Sequence, residues 1–260
     1  MRLASFFLLL TLLATPCLST HAAQIISDID DTVKLTGANS KTGKPDYWYF
    51  LSLEPFAGMS TLYQRWGFRN SPRQTVGLHF LSGSFTMLQN RLEHFFIINN
   101  FPSHSLTLKT DPFEPTENYK VAAITTMIQA LDPNEKLLLI GDDTEADFKA
   151  YATLANQFPN RVLATYIHRI VGQTAMPANQ MLYSSAMEIA LNEFQYKRLT
   201  ENDVMDVAQS MLMAVNAQNH YPRYMICKPQ HLNCALLETF QAEQICQDVD
   251  QLLNKFCPIQ

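Results

Sequence analysis

A short apolar run that breaks at once into alternating carboxylates does most to narrow the folds open to this chain. Ile25-Ile26 runs into Asp28-Ile29-Asp30-Asp31-Thr32, and Val33-Lys34 leads out. Such a run reads as a strand ending in a charged loop. Asp28 and Asp30, two apart, leave the strand end at nearly the same height. There they can share a hard divalent cation through oxygen ligands. They can also divide labour, one as nucleophile and one as proton carrier. An acidic turn is the plainer reading of a lone pair of this kind. A calcium loop fits poorly, because Val33 stands where that loop needs glycine. A second acidic cluster, Gly141-Asp142-Asp143-Thr144-Glu145-Ala146-Asp147, follows a second apolar run, Leu137-Leu138-Leu139-Ile140. That recurrence favours the functional reading.

The stretches between these clusters alternate in period. Residues 75–81 read as a buried strand ending at Ser82-Gly83-Ser84, and 105–108 and 162–167 as further strands. Pro55 opens a helix through about Trp66, and a second amphipathic helix covers 87–96. Thr116 can cap a third helix, with Glu117 in its first turn and Lys120 close behind. Val121, Ile124, Ile128 and Leu131 give that helix a core face. A fourth spans 146–157, and from Ser184 onward the pattern is helical, with a capping box at Thr200-Glu201-Asn202-Asp203. Strand and helix in alternation predict an α/β fold, a parallel sheet with helices on both faces. Ligands gather at the carboxyl ends of such strands. Asp28, Ser82 and Asp142 each stand at or beside a strand end and can meet in one crevice. His79, inside a strand, is expected to be a packed histidine.

Composition excludes several classes. A hydrophobic fraction of 47% supplies a core, a charged fraction of 17% is low for a disordered chain, and a net charge of -5 offers polyanions no attraction as a whole. Residues 1–23 read as a signal peptide, with Arg2, an apolar stretch from Phe6 to Ala14 and small residues before the cut. Export to the periplasm or beyond is therefore expected. No later stretch is long and apolar enough for a transmembrane helix. Cys227, Cys234, Cys246 and Cys257 crowd the end of the chain, an even number that predicts two disulfides in any of three pairings.

Four pieces in order carry a family resemblance: the acidic D-x-D-x-T, Ser82 at a strand end, Lys120 at a helix start, and Gly141-Asp142 with Asp147. Together they resemble the haloacid dehalogenase superfamily. Ser27-Asp28-Ile29-Asp30-Asp31-Thr32-Val33-Lys34, Gly58-Met59-Ser60-Thr61-Leu62-Tyr63-Gln64, and Ile140-Gly141-Asp142 with Asp147 and Tyr151 bring the match closer. They are similar to the catalytic domain of the actin-patch phosphatidate phosphatases. The resemblance covers roughly residues 24–200, leaving 201–260 as a helical extension. It implies a haloacid-dehalogenase-like (Rossmannoid) sheet and a magnesium ion held by Asp28, the backbone carbonyl of Asp30, Asp142 and Asp147. It implies Asp28 as nucleophile, Asp30 as acid and base, Ser82 and the Gly83 amide on the phosphoryl oxygens, and Lys120 as the neutralising cation. Thr32 and Lys109 would stand near the substrate, Thr32 by fixing the acidic loop and Lys109 where the family often has arginine.

Two departures lie near the mouth of the site. Ser82-Gly83-Ser84-Phe85-Thr86 replaces a serine-asparagine-serine-proline-tryptophan run, and Ile167-His168-Arg169 replaces isoleucine-arginine-aspartate. Both leave the phosphoryl chemistry intact and bear on the choice of substrate. Phosphatidate is the substrate the resemblance implies. Soluble phosphomonoesters are the alternative within the enzyme class, and a non-catalytic binding protein the alternative outside it. The methionines between Met176 and Met225 are a candidate surface for acyl chains and the aromatic cluster Tyr47-Trp48-Tyr49-Phe50 a candidate entrance, or both are simply core.

Overall fold

Six parallel strands form one sheet in the order β3-β2-β1-β4-β5-β6: β1 (Ala23–Ser27), β2 (Leu78–Phe85), β3 (Ser105–Lys109), β4 (Lys136–Asp142), β5 (Val162–His168) and β6 (Met181–Tyr183). This is a computed structural model, and it describes residues 23–37, 51–69, 77–144, 146–172, 176–227 and 231–257. The apolar stretch of the expected signal peptide and the aromatic cluster 47–50 lie outside the described residues. The helices are α1 (Met59–Arg69), α2 (Gln89–Ile98), α3 (Thr116–Ala130), α4 (Asp147–Gln157), α5 (Ala186–Gln195), α6 (Glu201–Met213) and α7 (Phe240–Phe256).

The two-residue period of the strands divides the core between the faces. Ile25, Phe80, Leu138, Ile140 and Tyr166 point to one face, packed with apolar residues of α1, α2, α5, α6 and α7. Ile26, Leu81, Leu137, Leu139 and Ile167 point to the other, under α3 and α4. The unbroken run Leu137-Leu138-Leu139-Ile140 is buried throughout because it faces helices on both sides.

Several elements differ from expectation. The strand after residue 77 runs on through Ser82-Gly83-Ser84 to Phe85, because its ladder with β3 resumes beyond a bulge, where Phe85 pairs with Lys109. Helix α1 begins at Met59 rather than Pro55: Gly58 takes a φ of 81°, which no continuing right-handed helix allows. In α3 the N-cap is Pro115, extended at ψ 132°, so Thr116 is already helical and caps nothing. β6 carries no sequence signal of its own. The capping box at Thr200 forms with both of its hydrogen bonds, opening α6. His79 is half-buried on β2, its Nδ1 against the Ser105 hydroxyl.

The cysteines pair Cys227–Cys257 and Cys234–Cys246. Both bridges lie within the last stretch of chain. Ala242, Cys246, Val249 and Leu253 of α7 join the same core as Ile25 and Trp66. Met187, Met211 and Met225 are core residues too.

Candidate active site

β1 lies at the centre of the strand order, with β2 and β3 on one side and β4 to β6 on the other. The chain therefore reverses direction across the sheet between β1 and β4, which opens a crevice at their carboxyl ends. Asp28 follows β1 directly and Asp142 ends β4. The Asp28 amide donates to the Ile140 carbonyl at 2.8 Å, continuing the ladder up to the site.

Asp28, Asp142 and Asp147 are all buried, and one carboxylate oxygen from each lies within 4.8 Å of the others. Asp147 opens α4 and reaches back over β4, where its Oδ2 accepts the Asp142 amide at 3.2 Å. Gly141 makes that approach possible, since a Cβ there would stand 2.4 Å from Asp147 Oδ2. Lys120 of α3 enters from the neighbouring helix on the same face of the sheet. Its ammonium donates to Asp28 Oδ1 at 2.6 Å and to Asp147 Oδ1. Tyr151 sits beneath, its hydroxyl donating to the Ile140 carbonyl.

One ammonium cannot balance three buried carboxylates. Burial pushes the Asp28 carboxyl well up, Lys120 pulls it down, and Asp147 and Asp30 push it up again. Asp142 is likewise raised by burial and then by Asp147 and Asp28. For Lys120 burial works against the charge, but the fields of Asp147 and Asp28 together hold it well above the usual lysine range. Burial and mutual repulsion thus set these carboxylates against carrying their charge together unless further positive charge arrives. An all-oxygen donor set with a surplus of negative charge suits a hard divalent cation. Asp28, Asp142 and Asp147 are the residues that could hold it.

Asp30 stands apart, half-buried at the mouth. The hydroxyls of Ser82 and Ser84 donate to its Oδ2 at 3.2 and 2.7 Å. These two serines are alternate residues of β2 and so share a face. Gly83 lies between them in the bulge. Thr32 is closed off from solvent, its hydroxyl donating to Asp28 Oδ2 at 3.3 Å. Lys109 does not reach the carboxylates; its ammonium donates to the Glu114 carbonyl at 3.0 Å. Asp143 turns away from the cluster and accepts the amides of Ile170, Val171 and Gly172, bracing the loop after β5.

Sequence reasoning assigned no part to Asp31, to Ser84 or to His168 as a support. Asp31 takes a φ of 57°, and its Oδ1 accepts from the Gly37 amide and the Tyr224 hydroxyl. His168 Nδ1 meets the Asp31 carbonyl at 2.8 Å. Ser84 lies beyond the expected strand end, and the contacts of Asp31 with Tyr224 and His168 cross too much sequence to be read locally. The Gly58-Met59-x-x-Leu62-Tyr63 stretch finds its purpose here. Tyr63 carries its hydroxyl to Ser27 Oγ at 2.7 Å, and Ser27 donates to the Asp28 carbonyl.

Fold and site define a Rossmann-like α/β protein with a buried acidic centre at its switch point. The chain belongs to the family described as the catalytic domain of phosphatidate phosphatase APP1, which residues 23–169 match. It is 32% identical over 166 residues to the uncharacterized protein C29B5.04c of Schizosaccharomyces pombe, covering 60% of this chain and 26% of that one. It is 31% identical over 174 residues to phosphatidate phosphatase APP1 of Saccharomyces cerevisiae, covering 57% and 26%. The chain thus spans about a quarter of the length of these curated relatives. No solved structure matches it.

Proposed function

We propose that the chain is an exported, magnesium-dependent phosphatidate phosphatase of the haloacid dehalogenase superfamily, with residues 24–200 as its catalytic domain. The observation that carries this reading is the division of labour between two aspartates. Asp28 lies buried between Lys120 and the other carboxylates, while Asp30, two residues on, faces two serine hydroxyls at the mouth. A phosphate monoester dianion repels nucleophiles, so its charge must be offset before attack. Magnesium would supply that positive charge, and Asp28, Asp142, Asp147 and the Asp30 carbonyl are the groups that would hold it. Lys120 adds its own and keeps the Asp28 carboxylate ionised and aimed.

An Asp28 oxygen attacks phosphorus as the ester oxygen departs, and Asp30 gives that oxygen its proton. Ser82 and the Gly83 amide steady the phosphoryl oxygens during the transfer. Asp30, now a carboxylate, takes a proton from the water that attacks the phosphorylated Asp28. Inorganic phosphate leaves, and both aspartates return to their starting states. Thr32 holds Asp28 by its hydroxyl through both steps. Residues 1–23 serve as the cleaved export segment, and 201–260 form an extension closed by disulfides.

Phosphate release from phosphatidate in mixed micelles tests this, run with magnesium or chelator beside a panel of soluble phosphomonoesters. Magnesium-dependent release, abolished in Asp28→Asn, is the expected result. Release from soluble esters alone would discard the lipid. Silence on every substrate would discard catalysis in favour of a binding role.

A further inference from the structure

The bulge that turns Ser82 and Ser84 toward Asp30 throws the next residues outward. Phe85 is 40% exposed and Met87, two residues on, 84%. Phe113, in the loop after β3, is 91% exposed. These three belong to one place. Phe85 pairs in register with Lys109, whose ammonium lies 5.7 Å from the Phe85 ring centroid and donates to the carbonyl of Glu114, the neighbour of Phe113. Phe113 itself stands on a turn closed by its amide to Asp111 Oδ1 at 2.9 Å. Ser84, the residue before Phe85, touches Asp30. Large apolar side chains thus project beside the mouth of the site from the carboxyl ends of two adjacent strands.

We infer that Phe85, Met87 and Phe113 dock the mouth of the site onto a lipid bilayer, inserting among the acyl chains around the scissile headgroup. This deepens the phosphatidate reading and rests on it. The patch offers roughly 400 Å² of apolar surface, taking a large side chain at about 200 Å². That is too little for a stable protein interface, which needs about 800 Å² from each partner. Nearly complete exposure at Met87 and Phe113 suits insertion of separate side chains better than a flat contact. Among the described residues no helix is long and apolar enough to cross a membrane. Charge contributes little: among the described residues of this patch, Asp111 and Glu114 flank Lys109. Docking is therefore apolar in origin and insensitive to salt.

The test is co-flotation of the purified protein with vesicles of phosphatidylcholine containing phosphatidate, beside Met87→Ser/Phe113→Ser and Phe113→Trp. Both positions are exposed, so folding is not at stake. The wild type should float with the vesicles, and binding should hold as salt rises to about 0.5 M, where exposed charges are screened. The double variant should bind at least about tenfold more weakly, the effect of removing one inserted side chain. Phe113→Trp should bind and shift its emission to the blue. Turnover of phosphatidate in vesicles should fall with binding, while turnover of a dissolved short-chain ester shows no matching fall. Equal flotation of wild type and double variant, or no flotation of either, overturns the docking surface. Self-association lost in the same variant would give the patch to a second copy and overturn it as well. Flotation that depends on these residues, with no phosphate released from any lipid, would uphold docking and sink the phosphatidate reading.

Discussion

Lys120 is the position where a single change should tell most about the acidic centre. Lys120→Met keeps the length of the side chain and removes its charge. The wild-type ammonium is buried against Asp28 and Asp147, and all three side chains are almost fully shielded from solvent. Breaking a buried pair by removing one partner costs ~3–5 kcal/mol, because the other partner is left uncompensated. Here two carboxylates lose their cation and a third, Asp142, loses part of its field. The cost has a ceiling, since each carboxylate can take up a proton instead. That escape is cheap in acid and expensive in base, so the loss of stability should shrink as pH falls. Denaturant unfolding of both proteins in chelator, at about pH 8 and about pH 5, measures it. A full loss at the higher pH and a smaller one at the lower are expected. Magnesium should then stabilise the variant more than the wild type, because it arrives where charge is missing. A loss below about 1 kcal/mol at the higher pH, within the range of exposed ion pairs, would refute the claim that Lys120 neutralises a buried cluster.

Gly141→Ala should cost about 1–3 kcal/mol by overpacking, since its Cβ would meet the Asp147 carboxylate at 2.4 Å; the magnesium-induced rise in melting temperature should fall with it, and an unchanged rise would count against Asp147 as part of the centre. Tyr63→Phe leaves Ser27 short of a partner and should lower stability by about 1 kcal/mol, checked by denaturant midpoints. His168 is pushed down to about 4 by burial, against the pull of the Asp31 carbonyl. Its contribution is complete above the unfolded value of about 6.5 and is lost as pH falls toward 4, ~3 kcal/mol in all. Glu188, raised to about 7 by burial, slopes the other way. The difference between wild type and His168→Gln isolates the histidine, and a difference that does not change over this window would refute its burial as a neutral ring.

The legible parts of the fold are those where burial leaves a continuous mark. The runs before Asp28 and Asp142 are apolar on both faces, so the two central strands and their acidic ends stand out in the sequence. Residue spacing likewise exposes the core faces of α2 and α3. The three-residue stretch of β2 beyond Ser82 was not legible, because a bulge has no periodicity of its own and Gly-Ser reads as a turn. For the same reason Ser84, which approaches Asp30 more closely than Ser82 does, was hidden by an assumed strand end. β6 is three residues long, too short for any period to show. The disulfide pairing needed coordinates outright, since spacing admits every combination. Lys120 was separable from Lys109 only through the family pattern; distance now separates them directly.

The acidic loop itself shows why some of the site could not be found near its own residues. Asp31 adopts a left-handed backbone, which costs about 1–2 kcal/mol for a residue with a Cβ. The loop keeps that shape because Asp31 is tied at both ends of its polar reach. The carbonyl can only accept, so His168 Nδ1 carries the proton in that contact, and the ring is fixed by stacking on Tyr183 at 4.6 Å and by the edge of Phe56 at 4.5 Å. The carboxylate is held by Thr36, Gly37 and, from 193 residues away, the Tyr224 hydroxyl. His168 is therefore a buried support beneath the loop. Tyr183 and Tyr224 both lie beyond residue 169, where the family match ends. The residues that could carry out chemistry are contained in that match, whereas part of what shapes the loop bearing Asp28 and Asp30 comes from the chain that follows it. Tyr224 stands three residues before Cys227, whose disulfide to Cys257 anchors that segment against α7. The Tyr224 hydroxyl thus ties the extension to the acidic loop at Asp31, and the packing of the extension bears on the geometry of the two aspartates beside it.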